Sequence, residues 1–541
     1  MRVIFTVALI VATGIVACRH LRGENYRLSI HDPKSVVLKG KPVGSSDIDV
    51  NKITATTFDL PPLSRYSLDN INITSPSFNR ELFILYYDPQ EDEFRVYIDE
   101  KRDLYLAKVF SPLWSRLRTV VPILTYALRN HFPDRFQGEH EFMTYFSTGD
   151  VIKLMCECVV KKESSNCQND KFAPILQFGS VYKDPTILPT LVTMPVWQHL
   201  PCFEEWQKEG KICEYLKRQR EVAGKLSGEE SLVKDTATGE SKWMPFSEWD
   251  ALYPILIWRG SDYSFLTCIQ HRVLPVEWNR DIASQLSQLG NDARAVALAL
   301  MNVWDNLTPR WKATALSAMA KLDVRDMIGV SENRKRKQVP WIDAKFVIKS
   351  HVHGVSVMPK VDRYEPFHEF GVEVATGDKM TLSQLSKYKY HIDLGGGGGT
   401  SWLGTLDKLG MPGLLFHHET SAKDYFHDEI LPWVHYVPVN EDLSDLKEKY
   451  DWAEANSDEA RQISDAGTKY VQNRSEPEVM RQSYERYFIH SLRNVLAAYV
   501  PMSDRVEAKI QMAEWLAKWS MVGRCSGWDE KCAFKNWRIK A

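Results

Sequence analysis

Lys387-Tyr388-Lys389-Tyr390-His391-Ile392-Asp393-Leu394, then the glycines 395–399, Thr400-Ser401 and a helical run over 402–409, is the stretch on which the fold turns. It reads as strand, glycine loop, hydroxyl cap and helix. Amides freed at such a junction can cradle a diphosphate, and glycines remove the side chains that would stand in its way. The run lacks the spaced glycines of the dinucleotide fingerprint and the lysine of the nucleoside-triphosphate loop, so neither class is favoured.

Outward from this stretch the same alternation repeats. Strands are expected over 253–258, 413–417 and 435–439, and helices over 280–303, 421–430 and 442–452. Closing helices are expected over 457–470 and 476–497, and another over 507–519. This order implies a mostly parallel sheet whose ligand sits at the carboxyl ends of its strands. Upstream, 81–87, 94–98, 151–155 and 175–178 read as strands and 113–129 as a helix, which makes a second α/β unit. The polar stretch 208–242 reads as helix plus exposed loop. The divisions expected are a targeting segment (1–23), an irregular stem (24–75), an N-terminal α/β domain on the acceptor side (76–250), a C-terminal α/β domain (251–500) and a C-terminal helical extension (501–541).

The chain has 68 Lys and Arg against 70 Asp and Glu, so no global field gathers nucleic acid or an anionic membrane. Its first residues are more informative: an apolar run over 3–17 is closed by Cys18, Arg19, His20 and Arg22. A cleaved signal peptide and a short signal-anchor both fit, and Ile15-Val16-Ala17-Cys18 also has the form of a lipoprotein cleavage site. Either secretory reading puts the remaining eight cysteines in an oxidising space where they can pair. Cys156, Cys158 and Cys167 lack the second pair and nearby His that a zinc site needs.

Several blocks then fall in a telling order: Trp258-Arg259-Gly260-Ser261, Thr308-Pro309-Arg310, 387–390, Pro432-Trp433-Val434-His435-Tyr436-Val437-Pro438-Val439, Asp442-Leu443-Ser444-Asp445-Leu446, and the helical positions Ala455-Asn456 and Ala466-Gly467. Together they resemble glycosyltransferase family 90, which includes capsule-associated fungal proteins and animal protein O-glucosyltransferases. The resemblance implies a GT-B architecture, with two Rossmann-like domains facing a cleft and C-terminal closing helices. It also implies a UDP-sugar donor, an acceptor hydroxyl on a protein or glycan, and inversion at the sugar carbon. By position, Arg259, Ser261 and Arg310 would contact the donor, and Gly396, Gly397, Gly398, Gly399 and Thr400 would line its pocket. Asp424 matches an acidic family position in the helix before the Pro-Trp-Val-His-Tyr block.

The sequence departs from the family pattern in two places. The stretch 262–306 is unusually long, and Trp402 stands where the family usually has an Arg aimed at the diphosphate. That Trp supports the alternative of a catalytically inactive glycan- or glycoprotein-binding protein on the same fold. Inversion needs a carboxylate to take the acceptor proton. Glu157 and Asp150 flank the run 151–155 and are the candidates, with Asp184 further on. No metal is expected: Asp47-Ile48-Asp49 lies in the stem, and His351-Val352-His353 and His417-His418 lack a sequence-local third ligand. Glucose and xylose donors differ by one hydroxymethyl group and stay open. The ending Arg538-Ile539-Lys540-Ala541 is no retention tetrapeptide, so residence in the Golgi through a single N-terminal membrane anchor, or secretion, is expected ahead of the ER.

Overall fold

The alternating runs LFILYYD and EFRVYID form a hairpin of β1 (Leu82–Asp88) and β2 (Glu93–Asp99), with Ile84 opposite Tyr97 and Tyr87 opposite Phe94. The computed structural model describes residues 63, 65–66, 82–99, 112–149, 173–183, 190–203, 230–234, 241–245, 248–260, 266–267, 272–273, 288–289, 292–330, 339–347, 376–396, 399–401, 403–502, 510, 513–517, 519–528 and 531–534. All lie in residues 50–541, one compact unit. The targeting segment, Asp47, Asp49, Asp150, Glu157, Asp184, Ser261, His351, His353, Gly397, Gly398 and Trp402 lie outside the described residues.

After the hairpin come α1 (Pro112–His131), β3 (Phe142–Ser147), β4 (Ile175–Gln177), β5 (Val181–Tyr182) and β6 (Leu191–Thr193). A hairpin of β7 (Glu230–Lys234) and β8 (Ser241–Pro245) and then β9 (Tyr253–Gly260) follow. A ribbon of β10 (Leu266–Thr267) and β11 (Arg272–Val273) leads to α2 (Ala293–Asn302) and α3 (Pro309–Val330). Next are β12 (Ile342–Val347), β13 (Thr376–Gly377), α4 (Leu382–Leu385), β14 (Tyr388–Ile392), α5 (Leu403–Gly410), β15 (Leu414–His418), β16 (Ala422–Lys423) and β17 (Val437–Val439). The chain closes with α6 (Leu446–Ala455), α7 (Ser457–Arg474), α8 (Pro477–Tyr484), α9 (His490–Ala498), β18 (Trp519–Cys525) and β19 (Cys532–Phe534).

Two large sheets result. The first is mixed, in the order β19-β18-β2-β1-β3-β4-β6, antiparallel from β19 to β3 and parallel beyond. The second runs β13-β12-β9-β14-β15-β17, and every pairing in it is parallel. Each has its own core. Phe83, Tyr87, Phe94, Leu124 and Phe146 are fully buried in the first, where Phe488, Leu492 and Val495 of the closing helices join them. Leu256, Trp311, Phe346, Tyr390 and Phe416 are fully buried in the second. Each such side chain contributes about 1.5–3 kcal/mol by leaving water.

The structure corrects several expectations. Within 208–242 the described residues form the β7–β8 hairpin rather than a helix, because a polar strand carries no apolar period. The stem is not wholly irregular: Tyr66 is buried, donates its hydroxyl to the Met143 carbonyl (3.0 Å) and bridges Tyr499. The helix expected over 421–430 is replaced by β16, which pairs with β5, and a short 3-10 turn at His427–Glu429. Asp424, Tyr425, Phe426 and His427 are four consecutive buried residues, a run that leaves no helical alternation of buried and exposed faces at its centre. The C-terminal stretch is not a helical extension alone, since β18 fills the outer edge of β2 and is stapled to β19 by the Cys525–Cys532 disulfide. The helix expected over 507–519 is present at the described residues 510 and 513–516, and the chain after it pairs with the open edge row of amides and carbonyls on β2. Cys202 is also disulfide-bonded.

Candidate donor site

Strand β14 is followed by Asp393 and Leu394, both buried, and the glycines begin at once. A Cβ on Gly395 would lie 2.3 Å from the Gly399 carbonyl oxygen, and one on Gly396 would lie 2.6 Å from Arg310 Nη2. The loop folds back on itself: Gly396 donates to the Thr400 carbonyl (3.2 Å), and Gly399, at φ +81°, donates to the Gly396 carbonyl (2.9 Å). Gly395 donates to His418 Nδ1 (3.1 Å). The amides of Gly395, Gly396 and Gly399 are therefore engaged inside the protein. These glycines serve close approach of chain segments rather than presenting bare amides.

Arg310 supplies the charge at this loop. Pro309 opens α3, where its fixed φ and missing N–H suit the first helical position. The next side chain reaches the loop, donating Nε to the Gly395 carbonyl (3.1 Å) and Nη2 to the Leu394 carbonyl (3.1 Å), with its guanidinium 5.6 Å from the Trp258 ring centroid. A planar cation is thus held at the carboxyl end of a parallel strand, where α/β sheets bind ligands.

Arg259 lies elsewhere. Successive residues of a strand face opposite sides, so with Trp258 turned to Phe346 and Arg310, Arg259 points to the other face of the sheet. There it donates Nη1 to the Asp343 carbonyl (2.7 Å) and Nη2 to Asp343 Oδ2 (2.5 Å), while Lys321 donates to Oδ1 (3.2 Å). Burial works against the charged Asp343, but Arg259 and Lys321 outweigh it and hold the carboxyl below its usual range. Of the two arginines expected to converge on one diphosphate, Arg310 reaches the glycine loop and Arg259 does not, a distinction that block order does not encode.

Two carboxylates brace the loop. Asp393 is buried, and burial alone would raise its pKa; His417 outweighs that and holds it at about 2. His417 Nδ1 donates to Oδ2 (2.8 Å), as does the Thr405 hydroxyl (2.6 Å), while the His418 amide donates to Oδ1 (3.0 Å). Burial likewise opposes charge on His417, and Asp393 overcomes it, raising the imidazole above its ordinary value. His418 is the neutral counterpart. Its Nδ1 accepts from Gly395, so Nε2 carries the proton and donates to the Glu441 carbonyl (2.8 Å), and burial lowers its pKa to about 4.

Asp424 is fully buried, and burial pushes its carboxyl up to about 6 even though the hydroxyls bonded to it favour the charge. Ser180 Oγ donates to Oδ1 (2.8 Å), Thr400 Oγ1 donates to the same oxygen (3.0 Å), and the two hydroxyls lie 2.7 Å apart. The residue sits in a packed turn, not in the helix expected for it. Its contacts are hydroxyls of the protein, so it positions Thr400 and joins the glycine loop to the segment before β5. Ser180, Asp393 and His417 were not assigned to this site from sequence. The available signal was a carboxylate and a His pair ending adjacent apolar strands. Among the described residues no group of three His, Cys, Asp or Glu side chains could hold a metal.

Residues 367–511 match the family described as Glycosyl transferase family 90. Protein O-glucosyltransferase 2 of Danio rerio is 36% identical over 92 residues, 17% of this chain and 18% of that protein. Protein O-glucosyltransferase 3 of Rattus norvegicus is 32% identical over 107 residues, 19% and 20% of the two chains. Protein O-glucosyltransferase 1 of Homo sapiens is 37% identical over 60 residues, 11% and 15%. The matched stretches span a fifth or less of each relative's own length.

Proposed function

We propose, from the premise that residues 367–511 are a glycosyltransferase family 90 region, that this protein transfers glucose or xylose from a UDP-sugar to a hydroxyl of a protein or glycan acceptor, with inversion. The observation that carries the reading is Arg310 seated on the glycine loop at the end of β14. Two sheets with separate cores and closing helices support a GT-B arrangement, with the donor held by the second sheet. The similarity to protein O-glucosyltransferases supports a protein acceptor. The Cys525–Cys532 disulfide supports a site in the secretory-pathway lumen.

In this reaction the acceptor oxygen forms a bond to the anomeric carbon as the bond from that carbon to the diphosphate oxygen breaks. Negative charge grows on the leaving UDP, and a cation fixed beforehand lowers the barrier because it need not reorganise. Arg310 has that role here. The acceptor proton passes to a carboxylate, for which Glu157 and Asp150 are proposed. The donor site draws on Arg310, with Gly396, Gly399 and Thr400 shaping the loop that seats it, Ser261, Gly397 and Gly398 proposed beside them, and Arg259 set to hold Asp343. No metal enters the scheme.

The test is direct. The purified chain is incubated with UDP-glucose, UDP-xylose and other UDP-sugars, and released UDP is measured with and without an acceptor peptide. Turnover of one donor supports transfer; binding of no donor assigns the chain to the non-catalytic glycan-binding reading.

A further inference from the structure

A cavity on the far side of His417 from Asp393 takes no part in the scheme above. It is a cleft of about 560 Å³ whose lining includes Lys183, His417, Glu419, Lys423, Trp433 and Tyr436. That volume falls in the range of small-molecule sites. Its charges are already matched: Lys183 pairs with Glu419, and Lys423 with Asp428 (2.6 Å). Tyr436 donates its hydroxyl to Glu419 Oε1 (2.9 Å) and packs its ring 4.7 Å from that of His417. His417 turns Nδ1 toward Asp393, so the rest of the ring is what it contributes to the cleft.

Trp433 stands out on backbone grounds. It has φ +63°, a left-handed conformation that a bulky aromatic residue rarely adopts and that costs of order 1–3 kcal/mol. The surrounding chain holds it there: its amide donates to the Tyr436 carbonyl (2.7 Å), and Pro432 bridges Tyr436. The conformation keeps the indole, half-buried against Trp452 at 5.0 Å, on the lining of the cleft.

We infer that this cleft binds a neutral saccharide ring at a subsite separate from the donor loop. The half-buried Trp433 indole offers an apolar surface for the C–H side of a sugar, with the buried Tyr436 ring behind it, and the Glu419–Lys183 and Asp428–Lys423 pairs offer acceptors and donors for its hydroxyls. A phosphate would meet the two lining carboxylates, and an apolar ligand would strip water from four charged groups, so both fit worse. The subsite adjoins the loop through Asp393, which bonds His417 on the cleft side and Thr405 on the helix that follows the loop. The inference goes beyond sugar transfer, and either reading can fail alone.

The experiment titrates the full chain with methyl β-D-glucopyranoside and methyl β-D-xylopyranoside, followed by saturation-transfer NMR and tryptophan fluorescence, with inorganic phosphate and UDP titrated in parallel. One of the sugars should bind and should not be displaced by UDP. Trp433→Gly removes the indole at a backbone position glycine tolerates, and Glu419→Gln removes one charge without changing shape; each should weaken the sugar by about tenfold, or about 1.4 kcal/mol, and leave UDP affinity unchanged. Circular dichroism checks that each variant folds, and the competition arm needs neither. Binding of phosphate but of neither sugar, displacement of the sugar by UDP, or full sugar affinity in a folded Trp433→Gly protein would each overturn the inference.

Discussion

The guanidinium of Arg310 fills the space that a side chain at residue 396 would need, with Nη2 2.6 Å from where a Cβ on Gly396 would stand. The obstacle one residue earlier is different in kind: a Cβ on Gly395 would meet the backbone oxygen of Gly399 at 2.3 Å. A flexible tip can move, whereas a loop carbonyl held in a turn cannot.

Gly396→Ala and Gly395→Ala should therefore separate function from folding. Gly396→Ala displaces Arg310 and should weaken UDP binding by roughly tenfold with little change in thermal stability. Gly395→Ala should cost about 1–3 kcal/mol or more of stability through overpacking. Calorimetric UDP titration and chemical denaturation of both variants check this, and the reverse pattern would refute it.

Arg310→Ala should lower kcat/KM for the UDP-sugar about a hundredfold, the scale on which removal of one preorganised charge donor acts. Arg310→Lys keeps the charge but cannot reach the Leu394 and Gly395 carbonyls as a planar fork, so it should recover only part of the loss. Arg259→Lys should affect stability more than turnover, because its partners are Trp258 and Asp343. Steady-state kinetics beside thermal melts distinguish these outcomes.

Asp424 has a raised pKa in the fold, so the folded state holds its proton over a range where the unfolded chain has released it. Its contribution is fully present below its ordinary value of 3.8 and is lost as pH rises through about 6. Asp424→Asn cannot titrate. Its stability relative to the parent should therefore rise between about pH 4 and pH 6, by up to roughly 3 kcal/mol. Urea unfolding at several pH values measures the difference, and a constant offset across that window would sink the assignment.

The Cys525–Cys532 bridge closes the β18–β19 hairpin, whose Ser526 carbonyl accepts from the buried Arg129 Nε (3.0 Å) and whose Trp528 ring lies 4.6 Å from that guanidinium. Replacing both cysteines by serine should destabilise the chain by about 2 kcal/mol. Denaturation of the double variant, with and without reductant, checks that figure: reductant should have less effect on the variant than on the parent.

Much of the second sheet was legible in the sequence because strands buried on both faces leave continuous apolar runs, and glycines punctuate their ends. The segments around 424 and 519 were not legible. Near Asp424 four consecutive side chains, 424–427, are buried, so no helical period marks the segment. Near Trp519 a strand partner from the other end of the chain decided the local structure. Arg310 was legible as a donor-contacting position through its block, but its seat on the glycine loop was not.

By itself the sequence determined the class of fold, the strands at 253–258, 388–394, 413–417 and 435–439, and the family likeness of residues 367–511, since these depend on local periodicity and on residues near one another in the chain. Only the tertiary structure decided that Arg310 and not Arg259 reaches the loop, that Asp393 and Asp424 brace it, and that the last strand closes the first sheet. Those outcomes turn on which face of a strand a side chain occupies and on partners up to several hundred residues away, and no local pattern carries either.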